Sequence, residues 1–253
     1  MKPTFLTYDK PLLTTILQCP TPELAKYRIG KALELGTDAF GLQTESLLPQ
    51  YRNEETIRDI FASMEEKPIY ATRYRPDKTS DREDEQLGDA ICCLADWGAT
   101  LCDVMGDLYC KHPDELTEDP RAVKKQMELI DKIHSRGAQV LISSHLYRYA
   151  PAERVLEIGL EQQRRGADIA KIVTKAENDE QLLDSFRAIM LLKENLKIPF
   201  LFLTGGSHGG LVRRIGPNLG CCMYLCVYEH DEHSTKAQPL LSKLRPIRDN
   251  MEW

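Results

Sequence analysis

Short apolar segments rich in β-branched residues alternate along the chain with longer amphipathic segments. Eight short segments have the length of a strand, and their first residues are roughly 23 to 39 residues apart, which leaves room for a helix after each strand. The predicted strands span residues 12–17, 38–44, 68–74, 100–104, 139–144, 167–174, 198–204 and 221–227. Helices are predicted to begin near residues 22, 54, 82, 119, 152 and 179, two of them at a capping residue followed by proline.

Eight strands that alternate with helices predict parallel pairing in an α/β fold. Such a series closes naturally into a (β/α)8 barrel, and we expect one barrel domain over residues 1–253 because no linker interrupts the pattern. An open doubly wound sheet is the alternative, although no GxGxxG follows the first strand. In a barrel, polar residues at the carboxyl ends of the strands are the candidates for chemistry.

The amino-acid composition of the chain limits the kinds of molecule that it is expected to bind. The 253 residues include 33 basic and 39 acidic side chains, a formal net charge of −6, which argues against nucleic acid because phosphate binding needs a basic surface. The 42% of hydrophobic and 28% of charged residues are typical of a folded chain. The sequence contains no apolar run of about 18 residues and its first residues lack a signal-peptide pattern, so we predict a cytoplasmic protein that does not enter the membrane.

The cysteines do not indicate a metal centre or a disulfide framework. Eight cysteines are few for a chain of this length, and the closest ones form adjacent pairs rather than CxxC motifs. The His/Asp/Glu cluster at 230–233 lacks the spacing of a helical zinc motif. We expect reduced, mostly buried thiols and no metal.

Lys171 and His145 are the most informative residues. Lys171 lies in the middle of an apolar predicted strand, where an unpaired ammonium would be costly, and His145 follows the preceding strand. Adjacent parallel strands are about 4.8 Å apart, so the two side chains can meet. A neutral amine there could form a Schiff base with a ketone while the imidazole acts as a general base. The alternatives are a lysine ion-paired to a neighbouring strand and a hydrogen-bonded structural histidine.

The segments SSHLYRYAP and RRGADIAKIVTK resemble the histidine strand and the Schiff-base strand of type I 3-dehydroquinate dehydratases, and the resemblance extends from about Leu12 to the C-terminus. It implies that Lys171 forms an imine with the substrate ketone and that His145 shuttles protons during loss of water. It further implies a homodimer and chemistry without a metal or organic cofactor.

The C-terminal segments resemble the same family. TGGSHGGLVRRIG is similar to the loop whose arginine binds the substrate carboxylate, with Arg214 the better match and Arg213 the next. HSTKAQP is similar to the loop that closes over the substrate, and Ser234 and Gln238 keep the family's four-residue spacing. The resemblance therefore implies that Arg214, Ser234 and Gln238 hold a carboxylate.

Three strands depart from the family pattern. The strand-two glutamate and arginine of the family are Gly41 and Gln43 here, with Glu45 next on the same face. The strand-four Asp-x-Glu reads Asp103-Val104-Met105. Arg73 or Arg75 would take the place of the hydroxyl-binding arginine of strand three. Substrate-binding candidates on these strands are accordingly Gln43, Glu45 and Arg73.

The expected function is dehydration of 3-dehydroquinate, or of a related carboxylated cyclic ketone, to 3-dehydroshikimate and water through a lysine imine. Two other classes remain open at this point. A class I aldolase also uses a barrel lysine, and a non-catalytic barrel could bind a small acid or another protein subunit.

Overall fold

Eight parallel strands form one sheet in the order β7-β6-β5-β4-β3-β2-β1-β8 in the computed structural model, which describes residues 3–75 and 84–251. The strands are β1 Leu12–Leu17, β2 Ala39–Gln43, β3 Ile69–Thr72, β4 Leu101–Met105, β5 Gln139–His145, β6 Ile169–Lys175, β7 Phe200–Gly205 and β8 Met223–Cys226. The seam between β7 and β8 is bridged by a hydrogen bond of 2.9 Å from Cys222 N to Phe200 O. The predicted (β/α)8 barrel is therefore confirmed.

A helix follows each strand. The helices are α1 Pro22–Glu34, α2 Glu54–Ala62, α3 Asp84–Trp97, α4 Pro120–Ser135, α5 Ala152–Arg164, α6 Asp179–Asn195, α7 Gly209–Leu219 and α8 Leu241–Asp249, and two short 3₁₀ helices, Thr44–Ser46 and Pro49–Tyr51, precede α2. None of the helices in the described ranges has the length and apolar character of a membrane span. The predicted helix start near residue 82 lies outside the described residues.

Local sequence signals fix the helix starts. Thr21 caps α1 by accepting a hydrogen bond from Leu24 N at 3.4 Å, and Asp119 caps α4 by accepting from Arg121 N and Ala122 N. Each cap precedes a proline in the first helical turn, where the missing N–H costs nothing. These caps confirm the helix starts predicted near residues 22 and 119.

The third strand is shorter than predicted. It ends at Thr72, because Thr72 O accepts a hydrogen bond from Thr44 Oγ1 at 2.6 Å and Tyr74 N donates to the Glu45 carboxylate at 3.4 Å. Side-chain partners thus replace the sheet ladder after Thr72. As a result, the chain turns inward and Tyr74 reaches the carboxyl end of the barrel interior.

A buried arginine ties down the loop between β4 and α4. Arg165 is fully buried and donates to Gly106 O at 2.9 Å, Thr117 O at 2.5 Å and Gln126 Oε1 at 2.8 Å. Its charge is paired with Glu161 at 2.8 Å. A buried guanidinium with this many acceptors fixes the backbone around it, so the residues of this loop are held in place.

All eight cysteines are free thiols and six of them are buried.

Gly106 offers a test of this loop. A Cβ at residue 106 would lie 2.5 Å from Glu115 O, a backbone atom that can move only if the loop shifts. We expect Gly106→Ala to lower the free energy of unfolding by about 1–3 kcal/mol, measured by urea denaturation. The control is Gly30→Ala in α1, where a Cβ meets nothing within 4 Å and should be neutral or stabilising by up to about 1 kcal/mol. Equal stability of the two variants would contradict the close packing of the loop.

Candidate active site

A cavity of about 340 Å³ opens at the carboxyl ends of the strands. Side chains from nearly every strand or the loop after it reach this cavity, as expected for the catalytic end of a barrel. The lining residues are Ile16, Gln18, Gln43, Tyr70, Tyr74, His145, Tyr147, Lys171, Val173, Leu203, Arg213, Leu225, Thr235 and Gln238. Lys171 and His145 therefore face one cavity, as the sequence predicts.

Lys171 Nζ lies in a cluster of three oxygen atoms. It donates to Tyr70 Oη at 2.8 Å, Tyr74 Oη at 2.8 Å and Asp103 Oδ2 at 3.1 Å. Both tyrosine hydroxyls also donate to Asp103 Oδ2, Tyr74 at 2.6 Å. The other carboxylate oxygen accepts from Ser143 Oγ at 2.5 Å. The lysine and the aspartate thus share a closed network of hydrogen bonds.

The charges of this network follow from burial and pairing. Burial by itself would raise the pKa of the Asp103 carboxyl, but the charge of Lys171 and the surrounding donors hold that pKa below its ordinary value. Burial and the nearby carboxylate raise the pKa values of Tyr70 and Tyr74 well above 10, so both phenols keep their protons. Three donated hydrogen bonds account for the three N–H bonds of a Lys171 ammonium.

This arrangement corrects one part of the expected chemistry. The sequence interpretation relied on desolvation or a nearby cation to leave the amine of Lys171 neutral, whereas its partner is a carboxylate. The ion-paired lysine that the sequence left open is present, since the pair joins β6 to β4. Lys171 nevertheless lines the cavity, so a ligand bound there lies beside its side chain. The ammonium must transfer a proton before its nitrogen can act as a nucleophile.

Three neighbouring side chains contact the ring of His145. Its Nδ1 pairs with Glu115 Oε1 at 2.8 Å, and its ring stacks on Tyr147 with centroids 6.0 Å apart. Tyr74 contacts the same ring edge-on at 5.4 Å. Glu115 and Tyr147 have positive φ angles of 46° and 54°, which non-glycine residues adopt rarely and which often accompany functional sites. The carboxylate on Nδ1 leaves Nε2 as the nitrogen available for proton transfer.

The arginine in the cavity is Arg213 rather than Arg214. Arg214 is exposed on α7 and donates to Gly210 O, whereas Arg213 is buried and lines the cavity. The helical turn explains the difference, because consecutive residues of a helix point about 100° apart. Arg213 Nε donates to Thr204 O at 2.7 Å, and no described carboxylate pairs with its guanidinium. Burial lowers the pKa of Arg213 to about 10, so an anionic ligand would relieve a real electrostatic cost.

The loop after β8 contributes Gln238 to the cavity. This side chain is buried, and its Oε1 has no hydrogen-bond partner among the described residues. A buried amide without a partner is costly unless a ligand or water completes it. Ser234 Oγ instead accepts from Asp231 N at 2.8 Å, and Thr235 is the neighbour that lines the cavity. The expected contact of Ser234 with a carboxylate stays a prediction.

The strand-two candidates differ in position. Gln43 lines the cavity and accepts a hydrogen bond of 2.7 Å from Gln18 Nε2. Glu45 is turned toward β3, where Thr72 Oγ1 donates to both carboxylate oxygens at 2.9 Å. Glu45 is not among the residues that line the cavity of about 340 Å³. Burial raises the pKa of Glu45. Gln43 therefore fits a substrate-binding role better than Glu45.

The strand-three arginines also lie apart from this cavity. Arg75 is buried in ion pairs with Asp84 at 2.6 Å and Asp107 at 2.7 Å, so its charge is already compensated. It lines a neighbouring cavity of about 240 Å³ that shares Tyr74, His145 and Tyr147 with the first. Arg73 is partly buried just beyond β3 and is not part of the described lining of the larger cavity. The structure thus favours neither arginine as a hydroxyl-binding group.

Comparison with protein families agrees with this geometry. The family model of type I 3-dehydroquinase matches residues 14–251, nearly the whole chain. The chain belongs to the type I 3-dehydroquinase family. Its (β/α)8 barrel, with a lysine on β6 and a histidine ending β5, is the arrangement that the sequence resemblance implied.

Individual relatives of the family are distant. A 3-dehydroquinate dehydratase of Alkaliphilus oremlandii is 34% identical over 36% of this chain and 37% of its own length, and one of Syntrophotalea carbinolica is 28% identical over 65% and 62%. The matches thus span less than two thirds of these relatives. The crystal structure of 3-dehydroquinate dehydratase from Geobacillus kaustophilus has a TM-score of 0.80 at 16% identity, over 96% of this chain and 92% of that one. At this identity the structural likeness establishes the barrel fold.

Two features of the site escaped the sequence interpretation. Glu115 was not singled out, since it lies in a loop 30 residues before His145 and no spacing links the pair. Tyr70 and Tyr74 sat within an apolar predicted strand, where a tyrosine usually packs in a core. The four-residue separation of these tyrosines does not predict that their hydroxyls meet. They come together only because β3 ends at Thr72 and the chain then turns inward.

Glu45 gives a pH-dependent test. Its pKa in the folded chain is raised above 4.5, so the folded state binds more protons than the unfolded state and loses stability as the pH rises through that pKa. We expect Glu45→Gln to remove this loss. The stability of the variant relative to the parent protein should increase as the pH is raised from 4.5, measured by urea denaturation at several pH values.

The matched control is Glu194→Gln, which removes an exposed carboxylate from α6. Its difference from the parent protein should change little over the same pH range. A Glu45→Gln difference that shrinks with rising pH would show that the hydrogen bonds from Thr72 outweigh the burial of the carboxylate.

Proposed function

We propose that this protein is a Schiff-base dehydratase that converts 3-dehydroquinate, or a closely related carboxylated cyclic ketone, to the conjugated enone and water. The observation that carries the proposal is the presence of Lys171, His145 and a buried, uncompensated Arg213 around one cavity. These groups supply a nucleophile, a general base and a carboxylate partner. Membership of the type I 3-dehydroquinase family supports this assignment.

Imine formation comes first. The amine of Lys171 attacks the ketone, and loss of the carbonyl oxygen as water leaves an iminium. The positive nitrogen withdraws electrons from the neighbouring carbon and makes its C–H bond acidic. Asp103, which lies 3.1 Å from Nζ, compensates the positive charge both before and after the reaction.

His145 then carries out the elimination. Its Nε2 removes the acidic proton and returns a proton to the departing hydroxyl, as a general base and then a general acid. Glu115 stabilises the imidazolium that forms between these two steps and holds the ring in place. Hydrolysis of the remaining imine releases the enone product and restores Lys171.

Arg213 and Gln238 would anchor the substrate. A guanidinium binds a carboxylate with two parallel hydrogen bonds. Gln238 Nε2 can donate another to the carboxylate, while Gln238 Oε1, which has no partner among the described residues, can accept from a substrate hydroxyl. This anchoring positions the ketone next to Lys171, which raises the effective concentration of the reacting groups. The unpaired charge of Arg213 is the reason to expect an acid rather than a neutral ketone as the substrate.

Recognition of the remaining substrate groups is rebuilt with neutral side chains. Gln18 and Gln43 form a hydrogen-bonded amide pair in the cavity, at the strand where the resembled family carries a glutamate and an arginine. Side-chain amides are uncharged and can both donate hydrogen bonds to hydroxyl groups and accept hydrogen bonds from them. We therefore include related cyclic keto acids, with a different hydroxyl pattern, in the proposed substrate class.

The homodimer and the cytoplasmic location implied by the sequence are part of the proposal. The proposed reaction depends on neither the dimer nor the location, because all of its catalytic and binding groups come from one chain.

The first test combines turnover with chemical trapping. Incubation with 3-dehydroquinate should produce the ultraviolet absorbance of a conjugated enone, and borohydride should fix the substrate on the peptide that contains Lys171, detected by mass spectrometry. Lys171→Met keeps much of the apolar stem but lacks the amine, so both signals should disappear. Circular dichroism of the variant checks that the barrel remains folded.

Other outcomes of the same experiment would reject the proposal. Trapping without an enone, together with cleavage of a phosphorylated sugar acid, would indicate a class I aldolase. Failure to trap any cyclic keto acid on Lys171 would indicate a barrel that binds a small acid without catalysis.

The second test separates the two adjacent arginines. We expect Arg213→Gln to raise the KM for the keto acid by about 10- to 100-fold, because a charge-assisted hydrogen-bond pair contributes about 1.5–3 kcal/mol. Arg214→Gln should leave KM unchanged, since its side chain is exposed on α7. Steady-state kinetics of the two variants measure the difference. A larger effect at Arg214 would restore the original sequence assignment.

A further inference from the structure

Two tyrosines, Tyr70 and Tyr74, surround the amine of Lys171 and take no part in the elimination carried out by His145. Tyr70 and Tyr74 each place a hydroxyl 2.8 Å from the nitrogen that must attack the ketone. Each hydroxyl also donates to Asp103 Oδ2. A Cβ at Gly41 would lie 3.0 Å from Tyr70 Cδ1 and 2.4 Å from Ile16 Cδ1, so the small residue on β2 leaves room for the ring of Tyr70. The pair of phenols is thus built into the barrel interior.

Imine formation requires several proton transfers but no net proton exchange. An ammonium and a ketone become an iminium and water, and the total charge stays the same. The protons must leave nitrogen and arrive at the carbonyl oxygen within the site. A hydroxyl that accepts from the nitrogen and donates elsewhere can perform such a transfer without becoming charged.

We propose that Tyr74 is a catalytic residue that relays protons between Lys171, Asp103 and the carbonyl oxygen during imine formation, so that His145 is needed only for the elimination. This inference rests on the proposed Schiff-base function. It assigns imine formation to Tyr74 and elimination to His145, whose ring contacts the ring of Tyr74 edge-on with centroids 5.4 Å apart.

In this relay, two protons leave Lys171 and both end on the oxygen that departs as water. One proton moves from Nζ to Asp103, and the freed electron pair forms the N–C bond while the carbonyl π pair moves onto oxygen. Tyr74 donates its proton to this oxygen and takes one from the nitrogen, which gives a neutral carbinolamine. The proton held by Asp103 then passes through Tyr74 to the carbinolamine hydroxyl. The C–O bond breaks, water leaves, and the nitrogen pair forms the iminium beside the ionised Asp103.

Three observations favour Tyr74 over its neighbours. Tyr70 is only 1% exposed and lies deeper, whereas Tyr74 is partly exposed and borders both cavities. Among the described residues, no hydrogen bond joins the ring of His145 to Lys171, and its Nδ1 is occupied by Glu115. The raised pKa of Tyr74 keeps its proton in place between transfers, as a neutral relay requires.

The test measures imine formation separately from elimination. The probe is 3-oxocyclohexanecarboxylate, a cyclic keto acid that has no hydroxyl to eliminate, and borohydride added at increasing times gives the rate at which Lys171 is modified. We expect Tyr74→Phe to slow this rate by about 100-fold or more, the usual contribution of acid–base catalysis. Tyr70→Phe should slow it by less than about tenfold, because the relay itself remains.

Two control variants complete the design. His145→Gln should trap the probe at close to the parental rate but should form the enone from 3-dehydroquinate at least about 100-fold more slowly. Tyr224→Phe removes a buried tyrosine hydroxyl on β8, whose partner is Asn218 at 3.2 Å, and should change neither rate. Thermal unfolding of each variant checks that the fold is retained.

The outcomes are distinguishable. Parental trapping rates in Tyr74→Phe, or slow trapping in His145→Gln with fast trapping in Tyr74→Phe, would overturn the relay while leaving the proposed dehydratase intact. A larger effect of Tyr70→Phe than of Tyr74→Phe would also overturn the assignment. Absence of trapping in the parent protein, with this probe and with 3-dehydroquinate, would reject the Schiff-base function itself.

Discussion

The ion pair between Lys171 and Asp103 is the interaction around which the interior of the barrel is organised. Removing two charges from water costs several kcal/mol for each ion, so the pair persists only with further hydrogen bonds. Ser143, Tyr70 and Tyr74 supply these bonds to the carboxylate. The same phenols accept from the ammonium. The hydroxyl groups that stabilise the buried ion pair are therefore also the groups that can transfer protons to and from Lys171.

Burial and, to a smaller degree, the charge of Asp103 raise the pKa of the Glu45 carboxyl. A second carboxylate near Asp103 would raise the cost of ionising both, and Glu45, in the 3₁₀ helix after β2, accepts hydrogen bonds from Thr72 instead. Tyr70 occupies the space above Gly41, and amides fill the neighbouring positions. A side chain larger than glycine at residue 41 would therefore displace the ring of Tyr70 or the side chain of Ile16.

The sequence was sufficient to predict the barrel and to place Lys171 and His145 on neighbouring strands. Strand spacing and helix caps are local signals, and a lysine within an apolar strand is conspicuous because its burial demands a partner. The choice between Arg213 and Arg214 could not be made in this way, since it depends on the rotation of α7 against β7. Likewise, the pairing of His145 with Glu115 depends on a loop that the buried Arg165 holds in place.

The strongest reason to view the buried pair as functional is its setting, since an ion pair alone is weak evidence for either stability or catalysis. A structural lysine would gain more from full enclosure, yet Lys171 borders a cavity that also holds a buried arginine without a described carboxylate partner. The uncompensated charge of Arg213 points to an anionic ligand, and Lys171 lines the same cavity. The keto acid of the proposed function would meet both groups, because its carboxylate would compensate Arg213 and its carbonyl carbon would be attacked by Lys171 once the ammonium has transferred a proton.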